Sequence, residues 1–295
     1  MRVHTANGDK EVLAEFAEWL LRLGNGKEQV VEGTEDIIEL DPQCIPPTEH
    51  GKIDVDGLLD WVFPNLAQRC ADCSGAGPSR STDDHASKVM DWLAERAILA
   101  PHNETVDELN EQMLDHFPGV AQTCDSSDVV VDDDAEDGTG VIPVEYLNSQ
   151  KTSGMPEHAL KIKPNMPLML LRNLNPREGL CNGTRLLALA LHGNGKLLAA
   201  KIITGEPEHR GRVVLLPRIN LYPKEGVYPF KWCRRQFPVR AAFAMTVNKS
   251  QGQTLRRVGV YLKAECFAHG QLYVAAGHPD RIRFALLPNR RRARS

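Results

Sequence analysis

Apolar residues recur at helical spacing over residues 9–24, where Val12, Leu13, Phe16, Leu20 and Leu23 share one face of a helix. Asp9 is placed to cap that helix, and Gly24 and Gly26 stop it. Ile37 to Leu40 reads as a short strand, and Leu58, Leu59, Val62 and Phe63 as a short helix ending near Pro64. Residues 70–84, rich in Ser, Gly and Asp, read as a linker. The apolar run Ala97-Ile98-Leu99-Ala100 predicts a buried strand. It leads through Pro101 and His102 into a helix from about residue 104 to 116, with Asn103 as cap and Val106, Leu109, Met113 and Leu114 as its apolar face. Strand, tight turn and capped helix form one unit of a parallel α/β sheet.

From about residue 165 the period shortens. Leu168 to Leu171, Arg185 to Leu191, Leu197 to Ile203 and Val213 to Leu216 predict closely spaced strands, with His192-Gly193-Asn194-Gly195 closing a hairpin between the second and third. A small β-barrel or sheet fits that spacing. The α/β alternation then returns: an apolar segment over 239–245, a turn through Lys249-Ser250-Gln251-Gly252, a strand over 258–262 and a last apolar run over 284–287.

Composition adds what periodicity does not carry. The chain has 295 residues and a formal net charge of only −4. That charge is unevenly placed. Residues 1–150 hold 9 Lys and Arg against 32 Asp and Glu, and residues 151–295 hold 26 against 7. A basic half of that size points to a polyanion such as nucleic acid, against the simpler reading of two solvated charged surfaces. No run approaches the roughly 18 apolar residues of a membrane span. The seven cysteines are irregularly spaced and imply a reducing, intracellular setting rather than a disulfide framework.

The Cys70-Ala71-Asp72-Cys73 pair has a metal-ligand spacing, but zinc needs four ligands, and Cys44 and His85 would have to complete them. Loop cysteines are the simpler reading, so no metal site is expected. The acidic run 132–137 reads as a solvated loop, and Asp107-Glu108 as helix surface. No Gly-Lys-Ser or Gly-Lys-Thr occurs, so the chain holds no phosphate-cradling P-loop. The richest stretch is Ala242 to Leu255. An apolar strand delivers Thr246, Asn248, Lys249, Gln251 and Gly252 to one turn, where backbone N–H groups and a cation can meet phosphate oxygens. An ordinary strand-to-helix turn is the alternative.

Residues 242–255 resemble the fifth motif of superfamily-1 helicases of the petite-integration-frequency (Pif) type, a family of ATP-dependent DNA helicases, in the branch carried by Helitron transposons. Three further stretches agree in order: Glu15 to Gly26, Ile98 to Asn110, and Leu170 to Arg185. The resemblance implies an α/β fold, a RecA-like parallel-sheet domain interrupted by a small SH3-like β-barrel. It divides the chain into an inter-domain helix and acidic linker over 1–96, RecA-like parts over 97–164 and 239–287, an SH3-like insertion over 165–238 and a basic tail over 288–295. It implies ATP with Mg²⁺ as cofactors, and as partners single-stranded DNA and a preceding RecA-like domain that carries the P-loop. The chain is expected to begin inside a family motif, as a truncated gene model or decayed copy would.

The resemblance also assigns roles. Arg2 matches the arginine that approaches the γ-phosphate. Gln251, Gly252 and Gln271 fall on the nucleotide-facing side, and Thr246, Asn248 and Lys249 on the DNA-facing side. Arg172, Arg185, Lys231, Arg234 and Arg235 of the insertion become candidate phosphate contacts, with solvated surface charge as the alternative for each. Trp232 either stacks a base or belongs to a core. His278 stands where the family's sixth motif carries its second arginine, and an imidazole offers no guanidinium fork. The tail Arg290 to Arg294 reads as a nuclear address, a phosphate-binding arm or a disordered end. The family association extends to the nucleus and to DNA repair, recombination and telomere maintenance.

Overall fold

The computed structural model describes residues 10–25, 27, 37–39, 55–71, 88–131, 142–263, 270–277, 282–286 and 292–294. The strands in chain order are β1 (Ile37–Glu39), β2 (Arg96–Ala100), β3 (Gln122–Asp125), β4 (Ser127–Val130), β5 (Ala159–Ile162), β6 (Pro167–Leu170), β7 (Arg185–His192) and β8 (Leu197–Ile202). There follow β9 (Val213–Pro217), β10 (Ile219–Leu221), β11 (Trp232–Gln236), β12 (Val239–Ala241), β13 (Ala244–Thr246), β14 (Arg257–Leu262), β15 (Ile282–Leu286) and β16 (Arg292–Arg294). The helices are α1 (Lys10–Gly24), α2 (Val55–Val62), α3 (Leu66–Ala71), α4 (Asn103–His116), α5 (Val144–Ser149), α6 (Val247–Ser250) and α7 (Gln271–Ala276). The chain divides into two compact units. One comprises Met1–Leu66, Glu95–Met113 and Phe243–Ser295, the other Ala67–Ala94 and Leu114–Ala242.

The first unit is built on a parallel sheet in the order β13-β2-β14-β15. Ala97 to Ala100 of β2 are wholly buried, as a parallel strand covered on both faces must be, which is why that strand reads as an unbroken apolar run. Helix α2 packs on β14, and its approach requires a glycine. A Cβ on Gly259 would come within 2.7 Å of Val62 Cγ2 and 3.0 Å of Leu58 Cδ1. Phe63, just after α2, meets Phe243 edge to face at 6.0 Å between centroids. The tail is not left extended by itself, since β16 pairs antiparallel with β1, Ile37 opposite Arg294.

The second unit is antiparallel. A five-stranded sheet runs β12-β6-β7-β8-β9, and its β7–β8 hairpin turns through residues 193–196 as the sequence predicts. A three-stranded sheet runs β10-β11-β4, and β3 pairs with β5. Strands β3 and β4 lie outside the 165–238 span over which the sequence shows short strands. Gln122-Thr123-Cys124-Asp125 is too polar to announce a strand, and in Ser127-Asp128-Val129-Val130 only the valines do. The apolar segment 239–245 is also two elements. Ala241 ends β12 in the antiparallel sheet and Ala244 begins β13 in the parallel one.

Two arginines of this unit are internal. Arg185 is fully buried, 0% exposed. Its guanidinium donates to the carbonyls of Ala94 (2.9 Å), Leu93 (3.2 Å) and Ala242 (3.1 Å). Ala94 and Ala242 are residues at which the chain leaves this unit, so one side chain holds both exits. Burial lowers its pKa to about 10, which leaves it charged at neutral pH. Arg234, 1% exposed, grips Asp128 through Nε and Nη2 at 2.7–3.1 Å. It also donates to the carbonyls of Leu147 (2.8 Å), Pro156 (3.0 Å) and Gln150 (3.2 Å), closing the C-terminal end of α5. Burial therefore removes Arg185 and Arg234 from the candidate phosphate contacts, because neither guanidinium reaches solvent.

Trp232, 1% exposed, is a core residue rather than a surface stacking platform. It packs with Leu147, Met155 and Leu221, and Tyr228 meets it edge to face at 5.5 Å. Lys163 closes the end of α4 by donating to Leu114 and Phe117 carbonyls at 2.8 and 2.7 Å.

Replacing Arg185 by Ala strands three buried carbonyls at once. The expected loss is about 3–5 kcal/mol of unfolding free energy in urea titration. Arg185→Lys recovers only a minor part, since an ammonium lacks the planar fork. A loss below about 1 kcal/mol for Arg185→Ala would contradict the role assigned to this side chain.

Candidate nucleic-acid interface

Ligands of open parallel sheets lie beyond the carboxyl ends of the strands. In the first unit β13 and β2 end side by side, Thr246 opposite Ala100. Beyond Ala100 the chain turns through Pro101 and His102 into α4, and beyond Thr246 it enters the single turn of α6. Thr246 and Lys249 are half-buried, while Asn248, Gln251 and Gly252 are exposed. The turn is closed by local bonds: the Ser250 hydroxyl donates to Val247 O (2.7 Å), and Gln253 Nε2 donates to Lys249 O (3.1 Å). Gly252 has φ +82°, a conformation that disfavours any side chain, and among the described residues beyond its two chain neighbours no heavy atom lies within 4 Å of where a Cβ would stand. The backbone there is open to a close approach.

The structure thus gathers the polar groups of the 246–252 stretch on one turn at one end of the sheet. Helix α7 packs against α6 and brings Gln271 to the same region, buried at 3% exposure. Arg2 and His278 lie outside the described residues, as do Cys44, Cys73, His85 and the acidic run 132–137. Asp107 and Glu108 are exposed on α4, and Glu108 pairs with Lys263, whose pKa that hydrogen bond raises. In the second unit Arg172 is half-buried and donates to the carbonyls of Gly154 (2.8 Å) and Leu171 (3.1 Å), while Arg235 and Lys231 are exposed.

What sets the turn in place is a residue to which the sequence reading assigned no role. β13 is an edge strand, and Ala244 presents its N–H and C=O away from the sheet. Asn110 on α4 takes the place of a missing strand. Its Oδ1 accepts from the N–H of Ala244 (2.9 Å) and of Phe243 (3.0 Å), and its Nδ2 donates to Ala244 O (3.1 Å). On the other side Ile98 N–H donates to Phe243 O at 3.0 Å. The signal was present: Asn110 falls four residues after Val106, on the apolar face of the helix. A polar residue on a buried stripe has to find partners.

Comparison with known proteins adds the lineage. The family profile for the 2B domain of DNA helicase Pif1 matches residues 145–191, which run from α5 into β7. The rat protein "ATP-dependent DNA helicase PIF1" is 30% identical over 238 residues, 79% of this chain and 34% of that one. The chain is similar to the Pif1-type helicases. The zebrafish protein of the same name is 30% identical over 178 residues, 60% of this chain and 25% of that one. The chain therefore spans about a third or less of the length of these relatives. Among solved structures, the Pif1 helicase from Candida albicans superposes with a TM-score of 0.50 at 17% identity, over 94% of this chain and 54% of that one. That likeness carries the fold alone, with α/β architecture in the unit that holds the parallel sheet.

Asn110→Leu removes the clamp and leaves two main-chain N–H groups and one carbonyl without it. The expected cost is about 2–4 kcal/mol by urea unfolding. Asn110→Asp keeps the acceptor but sets a carboxylate oxygen against the Ala244 carbonyl, and it is expected to be destabilised as well. A Leu variant within about 0.5 kcal/mol of wild type would rule the clamp out.

Proposed function

We propose that this chain supplies the single-stranded-DNA contacts and one side of the ATP site of a Pif1-type, ATP-dependent DNA helicase that acts in the nucleus. The observation that carries this reading is the open turn at the carboxyl end of β13, where Thr246, Asn248 and Lys249 stand beside Gln251 and Gly252. The relatives carry the name ATP-dependent DNA helicase, which supports it. The β-rich unit corresponds in this reading to the SH3-like insertion, and the 5′-to-3′ direction follows the family resemblance.

The division of labour follows from chemistry. DNA phosphates meet Lys249 and the outward cations of the β-rich unit, Arg235 among them. The γ-phosphate of ATP, carried with Mg²⁺, would lie by the N–H groups near Gly252, where open space and a left-handed backbone let main chain approach an anion. ATP supplies the phosphoryl transfer that drives translocation. The 295 residues contain no Gly-Lys-Ser or Gly-Lys-Thr, so this chain orients rather than cradles the nucleotide, and a P-loop-bearing RecA-like domain has to complete the site.

A second reading is favoured by His278, which occupies the place of a phosphate-finger arginine. In it the chain is a DNA-binding remnant of a transposon-type helicase, without turnover even beside a partner domain.

Anisotropy with a labelled oligo-dT tests the shared part of both readings. Affinity is expected to fall linearly on a log–log plot against salt, and Lys249→Ala to weaken binding about 3- to 10-fold at low salt without altering the thermal transition. ATP hydrolysis by the isolated chain is expected to be absent. Salt-independent binding, or no binding at all, would overturn the proposal.

A further inference from the structure

Strand β9 closes one side of the five-stranded sheet, and among the described residues no strand pairs with its outer edge. Bonded pairs fall at every second residue of an antiparallel ladder. Ile203 N–H donates to Arg185 O on β7 at 3.0 Å, while Ile202 N–H donates to Arg212 O, just before β9, at 2.9 Å. Even positions of β8 therefore bond towards β9, and the register joins Ala200 to Val214 and Leu198 to Leu216. The N–H and C=O groups of Val213 and Leu215 point the other way, out of the sheet. Their side chains share one face and stand 59% and 58% exposed. A free edge is normally blunted by charge or proline within the strand. Here Pro217 ends the strand, and its middle is left apolar.

We propose that the β9 edge is a docking site for an extended segment of a partner protein, apolar at alternate positions and flanked by carboxylates, which adds a strand to the sheet. The inference goes beyond the DNA-binding reading and does not rest on it. Main-chain groups of Val213 and Leu215 supply the ladder, and their side chains the apolar contact. The carboxylates follow from charge. Residues 210–218 hold Arg210, Arg212 and Arg218 and no carboxylate, and Lys201 is the partner of Val213 in register on β8. Glu206 and Glu208 belong to the loop that joins β8 to β9. Asp91 pairs with Arg210 at 2.7 Å, and Glu178 stands 3.8 Å from Arg212. All four side chains are 40–50% exposed, so each arginine keeps donors open to a second carboxylate. Arg218 donates to main-chain carbonyls, those of Gly195 and Asp125. A second copy of the chain fits this edge less well. Antiparallel pairing of two β9 strands about Leu215 would set Arg212 against Arg218 at both ends.

The probe is the fluorescein-labelled peptide Glu-Asp-Thr-Val-Thr-Val-Thr-Asp-Glu, titrated against the full chain by anisotropy. It is expected to bind, more tightly at low salt, and the same core flanked by lysines to bind more weakly. Leu215→Pro removes an N–H that no strand of the sheet uses, and it follows the extended Val214, so the thermal transition is expected to be kept. Peptide affinity is expected to fall about 3- to 10-fold in that variant, as loss of a hydrogen bond does. Hydrogen exchange gives a reading that needs no variant. The amides of Val213 and Leu215 are expected to exchange quickly in the free chain and to slow when peptide is added, while those of Val214 and Leu216 stay protected throughout. No peptide binding at millimolar concentration, equal binding of the lysine-flanked peptide, or unchanged exchange at Val213 and Leu215 would overturn the proposal. So would a concentration-dependent dimer that Leu215→Pro dissolves, since the edge then serves a second copy. Oligo-dT binding is expected to be the same in Leu215→Pro as in wild type, because a phosphodiester chain offers no strand ladder. Its loss in that variant would assign the edge to nucleic acid and sink the peptide reading.

Discussion

Buried main-chain carbonyls that lack a strand or helix partner must be met by a donor, and in the β-rich unit long cationic side chains meet them. Arg185 is the strongest case. It answers three carbonyls, including those of Ala94 and Ala242, at which the chain leaves that unit. Desolvating a guanidinium is costly, and only several well-placed acceptors offset it. Arg234 solves the same problem differently, with a carboxylate as its main partner and the end of α5 as its secondary one.

This constraint reinterprets the charge of the basic half. Excess Lys and Arg in a sequence invites the reading of a continuous electropositive surface. Here part of the excess is structural: Arg185 and Arg234 are sealed in the interior, Lys163 closes a helix end, and Arg172 and Arg218 donate to loop carbonyls. Outside that set, Lys249 is half-buried on the turn of the parallel-sheet unit, and Arg235 is exposed on the β-rich one. Asn110 belongs to the same logic, since the turn bearing Lys249 is held by satisfying the free edge of β13.

The legibility of the chain in its sequence follows from the same physics. Strand β2 was visible as an apolar run because both its faces are buried, and α4 because its apolar stripe keeps a helical period. The β7–β8 hairpin was visible from its glycine-rich turn. Strands β3 and β4 were hidden because they carry Ser, Thr and Asp, and Asp128 enters the interior only with Arg234 as its partner. The split of 239–245 between two sheets was hidden because an apolar run looks alike in either. For the site, the turn 246–252 was found from residue types. The burial of Arg185, Arg234 and Trp232 was not, because composition does not say which side of a strand faces the core. Alternation was the available clue, and it fails where a strand is buried on both faces.

The central claim is that the arginines of the β-rich unit are divided between internal staples and outward contacts. Phenylglyoxal labelling of native protein, read by mass spectrometry with and without an oligo-dT ligand, tests that division directly. Arg235 is expected to be modified in the free chain and shielded by the oligonucleotide, with Arg185 and Arg234 unmodified in both states. Modification of Arg185 or Arg234 in the native chain at the rate of Arg235, or an Arg235 indifferent to DNA, would contradict it.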